Sequence, residues 1–330
     1  TMGQGGFQEV EQMNLFKDMV CYQEEVRDPS RMAEVLNRVI EKAIRGSAPA
    51  QINVPRDYWT QVIDIELPPI VRFERQGGGK DAIQRAAKML SDAKFPVILS
   101  GAGVVIGDAI NECKALAEKL DAPVCNGYQH NDSFPGSHPL AVGPLGYNGS
   151  KAAMQLISKA DVVLALGTRL NPFSTLPGYG IDYWPKNANI IQVDMNPDRI
   201  GLTKKVTVGI AGDAKQVAKQ IFDKLSSNAG DSGREDRKNL IHQTKSAWLQ
   251  TLTSLDHEDD DPGTVWNKEA RERDKDRMSP RQAWRAIQAA MPEDAIISSD
   301  IGNNCAIGNA YPTFEKPRKY LAPGLFGPCG

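Results

Sequence analysis

Between residues 80 and 225, short apolar runs alternate with stretches of helical periodicity, and this alternation constrains the fold more than any other feature of the chain. Pro96-Val97-Ile98-Leu99-Ser100, residues 122–126, 162–166 and 190–193, and a short run near 206–210 read as strands. Residues 80–93, 108–120, 150–159 and 213–225 read as the helices between them, and 127–149 as a long loop. Such alternation demands a mostly parallel sheet with helices on both faces and right-handed crossovers. The expected fold class is α/β.

A chain of 330 residues has the length for two domains, each able to bury a full core. Ahead of the alternating region, 17–59 reads as strand, helix, strand. Residues 17–22 form the first strand. Met32, Val35, Leu36, Val39, Ile40 and Ala43 recur at helical spacing over 31–45, between Asp28-Pro29-Ser30 as a start signal and Gly46 as a stop. Residues 50–54 alternate as a short strand up to Pro55. Pro68-Pro69 and Gly77-Gly78-Gly79 bracket a linker. After residue 226 the chain turns hydrophilic, with one helix around 236–252. The run Glu258-Asp259-Asp260-Asp261 reads as solvated charge rather than a metal site, because adjacent carboxylates repel. At Ser279-Pro280 a third unit opens: helix 280–290, strand 295–299, then Asp300-Ile301-Gly302 and a further helix.

The net charge of −2 gives no basic footprint for nucleic acid or an anionic membrane surface. No apolar run approaches the ~20 residues that span a bilayer, and the first residues lack a signal-peptide pattern. Five widely spaced cysteines, without a Cys-x-x-Cys pair, point to a reducing compartment without a disulfide framework or structural zinc. A cytoplasmic protein without its own metal cluster is expected. The chain starts on Thr1 and ends on Gly327-Pro328-Cys329-Gly330, a run of turn formers, so an internal portion of a longer protein is expected.

Three loops at strand ends invite a ligand. Gly101-Ala102-Gly103-Val104-Val105-Ile106-Gly107 reads either as a phosphate cradle or as a tight strand-to-helix turn; its last spacing is one residue longer than the dinucleotide fingerprint. Gly167-Thr168-Arg169-Leu170-Asn171 and Asp194-Met195-Asn196 occupy equivalent positions. Together they indicate a nucleotide-binding fold, in use or vestigial. Asp213, in Gly212-Asp213-Ala214, reads as the cap of helix 214–225.

Taken in order, Gly6-Phe7-Gln8-Glu9, Ala50-Gln51-Ile52-Asn53-Val54-Pro55-Arg56-Asp57, the strand motifs at 96–101, 160–167 and 191–194, Asp300-Ile301-Gly302-Asn303-Asn304 and Gly324-Leu325-Phe326-Gly327-Pro328-Cys329-Gly330 resemble the acetolactate-synthase-like thiamine-diphosphate enzymes. The resemblance implies parallel-sheet domains of that type, one complete central domain flanked by two truncated ones. Residues 1–60 would be the C-terminal part of a pyrimidine-binding domain, 77–226 the central domain, 227–278 a charged connector and 279–330 the start of a diphosphate-binding domain. Where acetolactate synthases carry Gly-Gly-Leu-Gly-Ala-Met-Gly and an Asp-Asp-Arg run, this chain has Gly324 to Gly330 and Leu170-Asn171-Pro172-Phe173. Those departures, with Tyr179-Gly180-Ile181-Asp182-Tyr183-Trp184-Pro185, favour the branch that turns sulfoacetaldehyde and phosphate into acetyl phosphate and sulfite; bound flavin is not expected.

By the same resemblance, Gly302, Asn303 and Asn304 would hold the diphosphate of thiamine diphosphate. Gly324, Leu325, Gly327 and Cys329 would contact its rings through the backbone. Phe7 and Gln8 would reach the active site of a neighbouring subunit in a homo-oligomeric dimer or tetramer, and Asn148 and Arg169 would line the substrate pocket. The Mg²⁺ ligands and the activating glutamate would lie outside this chain. A pyruvate-using carboligase such as acetolactate synthase and a non-catalytic nucleotide-binding module are the competing readings.

Overall fold

The computed structural model describes residues 3–69, 74–254, 278, 280–322 and 327. By its contacts the chain divides into two compact units, 1–74 and 75–330.

In the first unit a short helix α1 (Gln12–Phe16) precedes β1 (Tyr22–Glu25), helix α2 (Met32–Gly46) and β2 (Ala50–Asn53). The strands pair in parallel, Tyr22 opposite Ala50. Val26, Val35 and Val39 form the buried centre, with Tyr22, Met32 and Ile52 against it. Asp28 starts the helical turn by accepting the Ser30 amide at 2.9 Å. Arg38 then ties α2 to β1 through two hydrogen bonds of 2.8 Å to Glu24. That guanidinium, followed by the Tyr22 hydroxyl, holds the Glu24 carboxyl down at about 2. Two sequence expectations shift here. The first strand begins at Tyr22 rather than residue 17, because a parallel strand exists only where β2 is available to pair. The left-handed residue that ends α2 is Ser47 (φ 46°), one position after Gly46.

The second unit is built on a six-stranded, wholly parallel sheet in the order β5-β4-β3-β6-β7-β8. Its strands are β3 (Pro96–Ser100), β4 (Val124–Asn126), β5 (Ala141–Pro144), β6 (Val162–Leu166), β7 (Asn189–Asp194) and β8 (Val208–Ala211). Every residue of β3, β4 and β6 is buried, as the continuous apolar runs demand. Helices α3 (Lys80–Asp92), α5 (Ile110–Leu120) and α7 (Ala214–Lys224) pack on one another, while α6 (Lys151–Ile157) packs with α8 (Arg234–Ser254) beside β4 and β5. Asp213 caps α7, accepting the Lys215 and Gln216 amides at 3.1 Å each. A short helix α4 (Ala102–Ile106) occupies the glycine-rich loop.

The long loop expected over 127–149 contains a strand. Ala141-Val142-Gly143-Pro144 holds a proline and a glycine at φ 90°, both read as breakers, yet an edge strand tolerates them. Beyond α8, helix α9 (Pro280–Ala290), strand β9 (Ile297–Ser298), helix α10 (Asn303–Ala310) and strand β10 (Tyr320–Leu321) follow. The pair β9/β10 is parallel, Tyr320 opposite Ile297. This stretch belongs to the second compact unit rather than forming one of its own.

Helix α8 lies in the segment expected as a connector, yet it carries the largest fully buried side chain among the described residues, Arg237, at 1% exposure. All five guanidinium donors are used. Nε reaches Asp121 O at 3.0 Å, Nη1 reaches Lys94 O at 2.7 Å and Ser232 O at 2.8 Å, and Nη2 reaches Leu120 O at 2.9 Å and Gly230 O at 2.5 Å. The cation thus closes the C-terminus of α5, where carbonyls lack helical partners. Arg237→Ala strands these carbonyls and is expected to cost about 1–3 kcal/mol for each one that water cannot reach; Arg237→Lys, with three donors, falls between. Urea unfolding checks this, and an alanine variant within ~1 kcal/mol of the parent contradicts it.

Candidate cofactor-binding site

The strand order places the topological switch of the sheet between β3 and β6, where open α/β sheets take ligands at the carboxyl ends. In this chain the glycine loops close that point on each other. The Gly103 amide donates to Gly167 O at 2.8 Å, and the Gly101 amide to Leu166 O at 3.0 Å. A Cβ on Gly103 would stand 2.6 Å from the Gly167 Cα, and one on Gly167 (φ 62°) would stand 2.7 Å from the Gly103 Cα. Backbone-to-backbone approach therefore accounts for both sets of glycines. In the third loop, Asp194 accepts the Asn196 amide at 2.8 Å and Asn196 accepts that of Asp198 at 2.9 Å, so both side chains shape the turn itself.

Next to the closed switch, the loops after β4, β5 and β6 each hold a non-glycine residue in the left-handed region: Gln129 (φ 64°), Asn148 (φ 53°) and Leu170 (φ 53°). Conformations of this kind persist only when neighbours enforce them. For Leu170 the enforcement is visible: it is fully buried, its amide donates to Thr168 Oγ1 at 3.2 Å and its carbonyl accepts Thr203 Oγ1 at 2.6 Å. Phe173 joins the loops, its ring 5.9 Å from that of Tyr128 and 6.3 Å from that of Tyr147. Asn148 and Arg169 are both exposed. Burial pushes the His130 imidazole below its ordinary range; the Arg169 charge works in the same direction and Asp132 against it.

Helix α10 is seated on these loops. Asn309 accepts the Gln129 amide at 2.8 Å and donates to Tyr147 O at 3.1 Å. Asn131 donates to Asn309 O at 2.9 Å and Pro312 O at 3.0 Å, and the Lys319 amide reaches Asp132 at 3.0 Å. At the other end of α10 the helix opens on Gly302, whose φ 94° and ψ −150° suit glycine alone, and no side chain caps the first turn. Gly302, Asn303 and Asn304 are exposed. The helix thus presents unfilled amide donors and two carboxamides just past a strand, an arrangement that fits an anionic diphosphate. Gly327 is close by: a Cβ there would lie 3.6 Å from Ile301 Cγ2. Gly324, Leu325 and Cys329, and the acidic run at 258–261, fall outside the described residues.

The structure thus brings Gly302, Asn303, Asn304 and Gly327 together at the ends of β9 and β10. It places Asn148 and Arg169 on neighbouring central loops. Phe7, 93% exposed, and Gln8 (φ 60°) belong to the first unit. Sequence reading missed Asn309, whose sole signal is an amide side chain on the buried face of a short helix. A separate cleft of about 860 Å³ runs beside β5 and α8, lined by Leu140, Val142, Lys245, Trp248 and Tyr311, and contains none of the residues singled out from sequence. Among the described residues no group of three or more His, Cys, Asp or Glu side chains is placed to hold a metal ion. No helix among them is long and apolar enough to cross a membrane.

Comparison with known proteins gives a family match and several relatives. Residues 83–221 match the family model for the thiamine pyrophosphate enzyme central domain. The whole chain is 78% identical to a probable sulfoacetaldehyde acetyltransferase of Rhizobium meliloti, covering 56% of that relative. It is 77% identical to the sulfoacetaldehyde acetyltransferase of Roseovarius nubinhibens, covering 55%. Against a probable acetolactate synthase large subunit of Methanocaldococcus jannaschii the identity is 29% across the whole chain, with 54% of that relative covered. The chain spans about half the length of the curated relatives it matches. The chain thus matches the thiamine pyrophosphate enzyme central domain over residues 83–221 and is similar over its full length to sulfoacetaldehyde acetyltransferases.

Proposed function

We propose that this chain is the middle portion of a thiamine-diphosphate-dependent acetyltransferase that converts sulfoacetaldehyde and phosphate into acetyl phosphate and sulfite. The observation that carries the reading is the contrast between 78% identity to a sulfoacetaldehyde acetyltransferase and 29% to an acetolactate synthase, both over the whole chain. In this reading 1–60, 77–226 and 279–330 are parts of the pyrimidine-binding, central and diphosphate-binding domains, joined by the connector 227–278.

When bound, thiamine diphosphate supplies the electron sink needed to break a carbon–sulfur bond. The first turn of α10 holds the diphosphate through the open amides after Gly302 and the side chains of Asn303 and Asn304. The contacts to the cofactor's rings are assigned by the resemblance to Gly324, Leu325, Gly327 and Cys329, of which Gly327 lies beside Ile301. Arg169 and Asn148, exposed on neighbouring central loops, would line the substrate pocket. The rings of Tyr128, Tyr147 and Phe173 meet on these same loops. Phe7 and Gln8 serve the site of a neighbouring subunit in a dimer or tetramer. The Mg²⁺ ligands lie in the remainder of the longer protein. The enzyme works in the cytoplasm.

Asn304→Ala in the full-length enzyme removes one charge-assisted hydrogen bond. It is expected to weaken thiamine diphosphate binding roughly 10-fold or more, read by quenching of tryptophan fluorescence. Unchanged affinity would sink the assignment of the diphosphate to this turn.

For the reaction, sulfite and acetyl phosphate are measured in parallel assays with sulfoacetaldehyde and with pyruvate. Sulfite release should require sulfoacetaldehyde, and acetyl phosphate should appear only when phosphate is present. A higher kcat/KM for acetolactate from pyruvate hands the assignment to the carboligase reading. The glycines of the switch point pack on each other rather than on a dinucleotide, so the purified enzyme should also be colourless. Stoichiometric flavin released on denaturation would contradict that.

A further inference from the structure

Helix α10 touches the central domain through one face. Cys305 and Asn309, four residues apart and so stacked on that face, both meet the segment Tyr128-Gln129. The Tyr128 hydroxyl lies 3.5 Å from Cys305 Sγ, the Gln129 side-chain amide also reaches that sulfur, and the Gln129 backbone amide is taken by Asn309 Oδ1. Asn309 is fully buried. Its Nδ2 spans to Tyr147 O, on the loop that carries Asn148, while its own carbonyl takes the Asn131 amide. One side chain thus holds two loops whose residues 129 and 148 are in the left-handed region. It does so from a helix whose opposite end, about 10 Å away along the axis, presents Gly302, Asn303 and Asn304.

A carboxamide is suited to this place. Its oxygen accepts from one loop and its nitrogen donates to the other, so both are registered to the same rigid helix with no net charge buried. Loss of the first bond leaves the buried Gln129 amide without a partner, and loss of the second frees the loop at Tyr147. Nothing in the family match at 83–221 assigns this residue, which lies outside the matched span.

We propose that Asn309 is a positioning residue that couples cofactor occupancy at the start of α10 to the conformation of the loops 127–134 and 145–149, and so to the substrate pocket. This rests on the reading that Gly302, Asn303 and Asn304 hold the diphosphate. Fixing the start of the helix restrains its buried end, and Asn309 transmits the restraint to two loops held in an unfavourable backbone region.

The test is amide hydrogen exchange on the full-length enzyme, with and without thiamine diphosphate and Mg²⁺, for the parent, Asn309→Ala and Asn309→Asp. In the parent, cofactor should slow exchange in both loops. Asn309→Ala should still bind cofactor within roughly 3-fold of the parent, because the diphosphate end is untouched, yet show no cofactor-dependent slowing in either loop. Asn309→Asp keeps the acceptor and loses the donor, so slowing should persist at 127–134 and vanish at 145–149. In steady-state kinetics of Asn309→Asp, KM for sulfoacetaldehyde should rise more than kcat falls.

Cofactor-dependent protection of both loops in Asn309→Ala equal to the parent's overturns the proposal. So does a loss of protection of the same size with and without cofactor, which is what a merely structural residue would give. If the loop coupling is seen but Asn304→Ala leaves cofactor affinity unchanged, the location of the diphosphate is wrong while the role of Asn309 stands.

Discussion

The contact between the Gly103 amide and the Gly167 carbonyl, 2.8 Å across the switch point, is the constraint from which the rest of the site follows. A parallel sheet wound in two directions from its middle would ordinarily leave a crevice there. Here α4 and the loop after β6 meet backbone to backbone, and side chains are excluded at both positions. With that crevice closed, the polar side chains at the carboxyl edge gather on the loops after β4, β5 and β6. Those loops carry Gln129, Asn148, Arg169 and the aromatic side chains.

Onto the same edge the chain returns with α10. Its contacts are specific polar ones rather than a broad apolar interface: Asn309, Asn131 and Asp132 take up backbone groups on the opposing segment in each case. Polar contacts of this kind fix register more sharply than apolar ones, because a shift of one residue leaves buried donors unpaired. Two sequence regions about 180 residues apart are thereby held in one arrangement, with the glycine-led helix start left exposed.

Much of this was legible in the sequence, and for one reason. Strands buried on both faces must be uninterrupted apolar runs, so Pro96–Ser100 and Val162–Leu166 could be bounded to the residue. Strand β5 could not, because an edge strand is free to contain Gly143 and Pro144, the same residues that mark loops elsewhere. Arg237 was hidden for a related reason. A sequence shows charge but not acceptors, and its five carbonyls come from distant segments that no local pattern connects. The positions of Gly302 to Asn304 came from motif likeness, while Asn309 was invisible because its meaning depends on which loops face it.

Arg237 also says something about the order in which the protein takes shape. Its acceptors span residues 94 to 232, so they exist as a set only after β3, α5 and the turn at 230 have assembled. Before then, burying the guanidinium would remove a charge from water with nothing in return. During synthesis, therefore, the nascent sheet remains unlatched until α8 has emerged. Docking of that helix brings all five bonds within reach together. A segment that by composition reads as a hydrophilic tether thus carries the side chain that ties three parts of the domain before it together.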